Sequence, residues 1–271
     1  MPRGVNKYDE ARLQGRLWTP TLSRPALWFD AADASTITVS TGISEWRDKS
    51  GNGRHISQST SSFRPIYSQT VLNSLPVVVF DGSNDYLTTT SFPTSFTELY
   101  IYIITKWQTT GTTVSTIQTI IDNNHTTSPL RGFVLQDRPD LTNRPLTFGH
   151  LPNLTAGAND NTTTGNNTWR IIGAEASSGV SDSFYRDGEL IQTTTNTGAF
   201  NIQAQLNIGA WNNGGFVRYF NGQIAEILIM TNSQSRRVRQ LHEGYLAWKW
   251  GLVSNLPASH PFKNRPPVIG D

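Results

Sequence analysis

The stretch "SFYRDGELIQ", residues 183 to 192, places Asp187-Gly188 between two short runs in which polar and apolar residues alternate. Alternation with a period of two is typical of a strand that has one buried face. An Asp-Gly pair supplies the positive φ angles that a tight turn between paired strands requires. The stretch therefore predicts a β-hairpin that turns at Asp187-Gly188.

Short apolar or alternating runs separated by polar turns recur on both sides of this hairpin. They are "ALWFDA", "GISEW", "RHISQ", "PVVVFDG", "LYIYIITKW", "IQTIID", "GFVLQD", "WRIIGAEA", "QLNIGAW" and "FNGQIAEILIM". Their spacing and turn chemistry favour an all-β antiparallel sandwich. The run "LYIYIITKW", residues 99 to 107, is apolar on both faces, and it is predicted to be a central strand covered on both sides.

The segment "EWRDKSGNGRH", residues 45 to 55, has the residue types of a phosphate-binding loop. In such a loop the glycines come before the lysine. Here Lys49 precedes both Gly51 and Gly53, and the residues that follow alternate as in a strand. The segment is therefore predicted to be a turn between strands.

One helix is predicted near the end of the chain, in "NSQSRRVRQLHEGYLAWKWGL", residues 232 to 252. Apolar side chains recur there at helical spacing: Val238, Leu241, Tyr245 and Trp248. Ser233 or Ser235 is a suitable N-cap, and Gly251 is placed to end the helix. The basic residues Arg236, Arg237 and Arg239 oppose the helix dipole, so we expect all three to face solvent or a partner.

Composition excludes several classes of function. The 271 residues are 36% hydrophobic and only 15% charged, which predicts one folded domain rather than a disordered chain. A net charge of +2 predicts neither nucleic acid nor a membrane surface as a partner. The chain has no cysteine, which excludes disulfides and thiolate chemistry. No apolar run predicts a signal peptide or a bilayer span.

Both ends of the chain lack a clear strand or helix pattern. Residues 1–24 are predicted to form an N-terminal arm, and residues 255–271 a Pro-rich C-terminal tail. Within the arm, Leu13, Leu17 and Trp18 have apolar surface to bury, which favours an assembly contact on the body or on a neighbouring copy.

Several blocks together carry a resemblance to a known family: "PALWFDAADASTITVSTGISEWRDKSGNGRHISQ", "PVVVFDGSNDYL", "FYRDGELI", "LNIGAW", and "FNGQIAEILIM" with the helix ending "YLAWKWGL". Their order and combination resemble a laminin-G-like domain of the concanavalin A-like lectin/glucanase superfamily, over about residues 25 to 262. The resemblance implies a jelly-roll sandwich of two antiparallel sheets with one short C-terminal helix, and a domain spanning residues 25–254. A short leading arm with a Pro-rich end resembles phage and prophage virion proteins.

The sequence predicts no enzyme. Glucanases of this superfamily carry their two carboxylates on one strand in an E-x-D-x-E-like pattern, and none of the seven glutamates here has Asp two residues later. Glu226 lies between aliphatic same-face neighbours, so we expect it to pair with an arginine or a backbone donor at the rim of the core. No nucleophile-elbow or zinc motif occurs. A glycan hydrolase is therefore the least favoured function.

A sugar-binding surface is more consistent with the loops. Aromatic and amide side chains suited to a saccharide occur in three loops: Trp211, Asn212 and Asn213; Asp85 and Tyr86; and His125. The alternative is that these residues only form strand reversals and that Trp211 caps the core. Calcium and other cofactors are not predicted, because Asp81 and Asp85 are two carboxylates for a cation that takes about 6 to 8 oxygens.

The sequence thus predicts a non-enzymatic virion surface protein of the capsid-decoration kind. The alternative is a carbohydrate-binding adhesin or a tail-associated receptor-binding protein. The expected partners are the major capsid protein or another virion protein, a host-surface glycan, and further copies of the chain, with a trimer suggested by the virion analogy. The expected location is the virion surface, or alternatively a bacterial cell surface or the extracellular space.

Overall fold

A computed structural model describes residues 17–108, 117–123, 126–127, 130–141, 146–150, 157–161, 167–212 and 215–271. The strands are β1 (Leu27–Asp30), β2 (Ile37–Val39), β3 (Ile43–Trp46), β4 (Ile56–Ser57), β5 (Ile66–Leu72), β6 (Leu75–Asp81), β7 (Leu87–Thr89), β8 (Glu98–Trp107), β9 (Gln118–Asp122), β10 (Thr126–Thr127), β11 (Leu130–Arg131), β12 (Phe133–Asp137), β13 (Leu146–His150), β14 (Ala158–Asp160), β15 (Arg170–Ser177), β16 (Ser181–Arg186), β17 (Glu189–Thr195), β18 (Leu206–Ile208), β19 (Trp211–Asn212), β20 (Phe216–Val217) and β21 (Asn221–Met230). The helix α1 is Arg236–Lys249.

Two large antiparallel sheets form the sandwich. One has the order β17-β16-β15-β8-β21-β6-β5, with β1 paired to the second half of β21. The other has nine strands in the order β14-β13-β12-β9-β18-β7-β4-β3-β2. This arrangement confirms the predicted all-β jelly-roll sandwich with one C-terminal helix.

The main core lies between the two sheets and is built from large side chains that alternate inward along each strand. Its fully buried rings are Phe29, Trp46, Phe80, Trp107, Phe133, Phe148, Phe184 and Phe220. Rings of this size remove about 150 to 250 Å² each from water, so this layer supplies most of the hydrophobic stabilisation that a chain without disulfides needs.

A second apolar layer lies between the eight-stranded sheet and α1. Along β8, Ile101 and Ile103 enter the main core, whereas Tyr102 faces the helix layer together with Tyr245 and Trp250. Both faces of β8 are therefore buried, which confirms the prediction of a central strand covered on both sides.

The helix begins where Ser235 caps it, since its hydroxyl accepts the backbone N–H of Val238. The expectation that all three arginines face outward is wrong for Arg239. Its guanidinium is buried, with Nε 3.2 Å from Glu175 and a terminal nitrogen 2.9 Å from Glu243. Arg236 and Arg237 are exposed.

Among the described residues, no helix has the length and apolar character that a membrane crossing needs.

Both predicted turns are confirmed. Asp187 (φ 53°) and Gly188 (φ 83°) connect β16 to β17 in left-handed conformations. In the segment between β3 and β4, the Asp48 carboxylate accepts the backbone N–H of Ser50 and of Arg54. Lys49 forms ion pairs with Asp30 and Asp33, so its ammonium group does not point into an anion site.

Both ends of the described chain lie on α1. Leu17 forms a bridge with Val268, and Trp18 meets the His242 ring edge-on at 4.9 Å. Phe262 in the Pro-rich segment is fully buried in the helix layer. Residues 17–24 and 255–271 thus pack on this chain's own helix, while Leu13 lies outside the described residues.

Candidate functional site

Several loops meet at one end of the nine-stranded sheet. Strand β18 ends at Ile208, which pairs with Leu87 at the start of β7. Because neighbouring strands are antiparallel, the loop that precedes β7 and the loop that follows β18 emerge at the same end. Residues 81–86 are therefore neighbours of residues 209–212 and 215–220, and the Gly209 backbone lies close to the carbonyl of Asp85.

The loop after β18 contains a small hairpin that folds back over the sheet. Strands β19 and β20 pair Trp211 with Val217 and Asn212 with Phe216. The Asn212 backbone N–H donates to the Asp122 carboxylate at 3.1 Å, and Asn207 Nδ2 donates to the same oxygen at 2.8 Å. Asp122 is fully buried, so it acts as an anchor that fixes this hairpin on β9.

Three aromatic rings form a continuous surface beside the hairpin. Tyr86 and Phe216 are stacked, with ring centroids 3.7 Å apart and planes inclined by 22°. Phe63 follows at 5.9 Å from Tyr86, and its carbonyl accepts the Tyr86 backbone N–H. All three side chains are half-buried. We call Phe63, Tyr86 and Phe216 the aromatic surface.

Trp211 lies under an arginine next to this surface. The Arg218 guanidinium stacks on the indole at 3.8 Å from the ring centroid, and Trp211 is only 7% exposed. Nearby, Arg138 binds both carboxylate oxygens of Asp140 at 2.9 Å. The prediction that a sugar stacks on Trp211 stays a prediction, and Trp211 is buried whereas Tyr86 and Phe216 are only half-buried.

Asp85 is buried beside the aromatic surface. Burial, and after it the nearby Asp81 carboxylate, raise the pKa of Asp85 to about 6. One Asp85 oxygen accepts the Asp81 backbone N–H at 3.0 Å, and Asp81 in turn accepts the backbone N–H groups of Ser83 and Asn84. These contacts occupy the carboxylates within the loop. In the described part of the chain, no group of three or more histidines or carboxylates converges on a point where a metal ion would bind.

The structure brings four of the six predicted ligand residues to this end of the sheet: Asp85, Tyr86, Trp211 and Asn212. Asn213 and His125 lie outside the described residues. Sequence reasoning missed Phe63, Phe216 and Arg218. The run "FVRYF", residues 216 to 220, follows the predicted loop and carries aromatic residues beside an arginine, which is a signal for Phe216 and Arg218. Phe63 joins the site only through contacts with residues distant in sequence.

Glu226 is placed differently from the expectation of a rim residue paired with an arginine. It is fully buried between β21 and α1, and its partners are Lys249 Nζ at 2.7 Å, Trp28 Nε1 at 2.7 Å and Trp250 Nε1 at 2.6 Å. Burial raises the pKa of Glu226 above its ordinary value, while the Lys249 cation opposes that rise. The carboxylate joins helix to sheet and has no surface at which a substrate would meet it.

Ser23 and His242 have a spacing like that of a nucleophile and its base, because Ser23 Oγ lies 2.8 Å from His242 Nε2. His242 is fully buried between Trp18 and Tyr102, and burial lowers its pKa to about 3. An imidazole of that pKa is too weak a base to activate a hydroxyl near neutral pH. This pair therefore holds the N-terminal segment on the helix.

The chain matches no protein-family profile and no curated protein sequence. Solved structures with the same fold include the botulinum neurotoxin serotype D binding domain, with a TM-score of 0.53 at 12% identity over 83% of this chain and 52% of that one. The botulinum neurotoxin type G receptor binding domain has a TM-score of 0.55 at 11% identity, covering 81% of this chain and 51% of that one.

A third similar structure is the botulinum neurotoxin serotype D ligand binding domain in complex with N-acetylneuraminic acid. Its TM-score is 0.52 at 13% identity, over 83% of this chain and 52% of that one. The chain spans about half the length of these neighbours. At such low identity the likeness shows the lectin-like β-sandwich fold alone.

Proposed function

We propose that this chain is a non-enzymatic, lectin-like domain that binds a saccharide on the aromatic surface. The observation that carries the proposal is the stacked pair Tyr86–Phe216, half-exposed at a rigid sheet end. The C–H face of a pyranose packs well on such rings, because it is apolar and has a similar area. A rigid scaffold keeps the ordering cost of binding low.

Polar groups suited to sugar hydroxyls lie next to these rings. Asn212 pairs directly with Phe216 across the hairpin, so their side chains share one face. Its amide can both donate and accept hydrogen bonds. Arg138 and Asp140 add a fixed ion pair close to Arg218. A few polar groups around an apolar platform are typical of small-molecule sites.

The comparisons support a saccharide as the ligand class only by analogy of fold. Each of the three neighbours is described as a binding domain, and one was solved with N-acetylneuraminic acid. The E-x-D-x-E-like pattern is absent from the sequence. The Glu226 carboxylate is buried and hydrogen-bonded within the network that includes Lys249. These points favour binding over hydrolysis.

A glycan array with variants tests this proposal. Tyr86→Ala and Phe216→Ala should each lower binding at least tenfold, because each removes half of the stacking platform. Leu190→Ala, which alters an exposed side chain on the other sheet, is the control and should bind like the wild type. Full binding by both aromatic variants, or no binding of the wild-type chain to any saccharide, contradicts the proposal.

A second candidate, attachment to a virion as a decoration or tail protein, is favoured by the position of the chain ends. Residues 17–24 pack on α1, on the outer side of the eight-stranded sheet, whereas the aromatic surface lies at the nine-stranded sheet. A chain attached through residues 1–24 would leave the aromatic surface free. We extend this proposal to a laminin-G-like domain over residues 25–254, a tail over 255–271 and a closed homo-oligomer, with a trimer as the first candidate.

Particle purification tests the attachment. The full chain should co-purify with intact virions, and deletion of residues 1–16 should abolish this while the fold persists, because Leu17 and Trp18 keep their contacts. A copy number like that of the capsid protein favours decoration, and a few copies per particle favour the tail. A deletion variant that binds particles and keeps the full-length mass by light scattering overturns the assembly role of the arm.

A further inference from the structure

Arg218 forms no direct ion pair in the described part of the chain, although the Asp140 charge acts on it from a greater distance. Its guanidinium lies on the Trp211 ring at 3.8 Å, and it forms no ion pair there. The carboxylate that acts on Arg218, Asp140, already receives two hydrogen bonds from Arg138. Two guanidinium groups and one carboxylate therefore leave a local excess of positive charge.

This excess charge is partly removed from water. Burial, and after it the neighbouring Arg138 cation, lower the pKa of Arg218 to about 10. Arginines that are half-buried are normally paired, because desolvation of a charge is unfavourable. Arg218 has a carboxylate only at longer range, so a bound anion would supply the direct partner that it lacks.

The Arg218 side chain is also held in one orientation. Its backbone adopts the left-handed conformation at φ 56°, uncommon for a residue other than glycine, and its carbonyl accepts the Thr119 N–H at 2.9 Å. The Trp211 ring fixes the plane of the guanidinium from one side. Strained backbone of this kind is often found at ligand sites, because the surrounding structure must enforce it.

Arg218 follows Phe216 by two residues, so its backbone lies beside the aromatic surface, while its guanidinium lies over Trp211. At most about 7 Å of chain separates their Cα atoms, which is within the span of one monosaccharide and its substituents. A planar guanidinium fork matches the two oxygens of a carboxylate.

We propose that the saccharide bound by this chain is acidic, and that Arg218 receives its carboxylate while the sugar ring lies on Tyr86 and Phe216. This inference rests on the proposed saccharide-binding function and specifies its ligand class. Trp211 then acts as a positioning residue that supports Arg218. A structural role for Arg218 alone, as a clamp on Trp211, is the competing explanation.

Matched probes test the charge requirement. The array carries oligosaccharides of glucose, galactose and mannose, each also as the C6 uronic acid and as the C6 sulfate. At least one uronic acid should bind the wild-type chain about tenfold or more tightly than its neutral partner, because charge-assisted hydrogen bonds are the strong ones. Raising the salt concentration should weaken only the charged interaction.

Variants separate this inference from the function it rests on. Arg218→Gln should bring the ratio of uronic-acid affinity to neutral affinity down to about one, whereas Tyr86→Ala should weaken both probes and keep that ratio. Arg218→Lys keeps the charge without the fork and should recover only part of the preference. If Arg218→Gln fails to fold, two other measurements decide whether Arg218 receives the carboxylate: the acidic preference of Arg218→Lys and the salt dependence of wild-type binding.

Three results would overturn the inference. Equal binding of neutral and acidic probes by the wild type removes the acidic ligand while leaving saccharide binding intact. An equal loss for both probes in the Arg218 variants assigns Arg218 to the clamp role. A preference for sulfate over carboxylate rejects the carboxylate assignment. If no probe binds at all, the proposed function itself fails.

Discussion

At the scale of single residues, the buried carboxylate of Glu226 connects the second layer to the sandwich. Its oxygens accept hydrogen bonds from Lys249, from two tryptophan indoles and from Tyr245. Lys249 is also 2.6 Å from Asp30 on β1. Removal of Glu226 would leave Lys249 with Asp30 as its carboxylate partner and would leave two buried indole N–H groups without their acceptor.

Replacement of Glu226 by alanine should therefore destabilise the fold by about 3 to 5 kcal/mol, because two buried indole N–H groups lose their acceptor and Lys249 loses one of its two carboxylates. Glu226→Gln should lose less stability than Glu226→Ala, because the amide oxygen still accepts indole hydrogen bonds. Urea unfolding measures both losses. Glu189→Ala, at an exposed position, is the control. A loss below about 1 kcal/mol for Glu226→Ala contradicts this account of the network.

His242 makes stability depend on pH. Its pKa is about 3 in the folded chain against an ordinary value of 6.5, so between these values the unfolded chain binds a proton that the folded chain does not. Above about pH 6.5, His242 is neutral in both the folded and the unfolded chain and does not make stability depend on pH. Below that value the free energy of unfolding falls as the pH drops toward 3. Between pH 6.5 and 4.5 the loss is about 2 to 3 kcal/mol.

Urea midpoints of the wild type and of His242→Gln across this pH range measure that effect. The variant should be less stable near pH 7 but should lose less on acidification. His55→Gln, at an exposed position, should keep the wild-type slope. Equal slopes for the wild type and His242→Gln would show that His242 does not stay neutral in the folded chain.

The site was only partly predictable at this scale. Tyr86 and Asn212 were identifiable because aromatic and amide residues in loops are typical of sugar sites. The burial of Trp211 under Arg218 could not be predicted, because a sequence does not reveal which face of a loop ring is covered. Glu226 was predicted to be structural, yet its lysine partner is 23 residues away on another element.

At the scale of elements, the hairpin β19–β20 depends on one buried carboxylate. Asp122 accepts from Asn207 and from the backbone of Asn212, so it joins β9, β18 and the hairpin. The hairpin pairs only two residues on each side, which is too few to be stable alone. Its position, and with it Phe216 and Arg218, is set by this anchor.

Asp122→Ala should lower saccharide affinity without touching the ligand. It leaves two donors without their acceptor, at a stability loss of about 1 to 3 kcal/mol, and lets Phe216 move from Tyr86. Ser235→Ala, which removes the helix cap and costs about 1 kcal/mol, is a control for destabilisation away from the site. Calorimetric titration should show weaker binding only for Asp122→Ala, and equal affinities for both variants would exclude the anchor role.

The elements that sequence predicted well are those with strong local signals. The Asp187-Gly188 hairpin, the doubly buried β8 and the capped helix α1 each follow from residues close together in the chain. Strand β13 was not predicted, because its five residues include Gly149 and give too short a run for the Leu146-Thr147-Phe148 alternation to mark a strand. The fold-back of β19–β20 depends on a contact across 90 residues.

At the scale of the whole molecule, the sandwich separates two surfaces. The chain ends and α1 cover the eight-stranded sheet, while the aromatic surface lies at one end of the nine-stranded sheet. Sequence predicted the two-sheet architecture from strand number and turn chemistry. The sequence could not predict which loops meet at one end of the sandwich, because this depends on the order of the strands in the sheets.

The most direct test of the account is to map the bound saccharide by NMR on the isotope-labelled full chain. The oligosaccharide that binds most tightly on the array is titrated, and backbone amide shifts are followed. The account predicts the largest shifts at Tyr86, Asn212 and Phe216, with α1 unchanged. Shifts confined to α1 or to residues 17–24, with the aromatic surface unaffected, would contradict it.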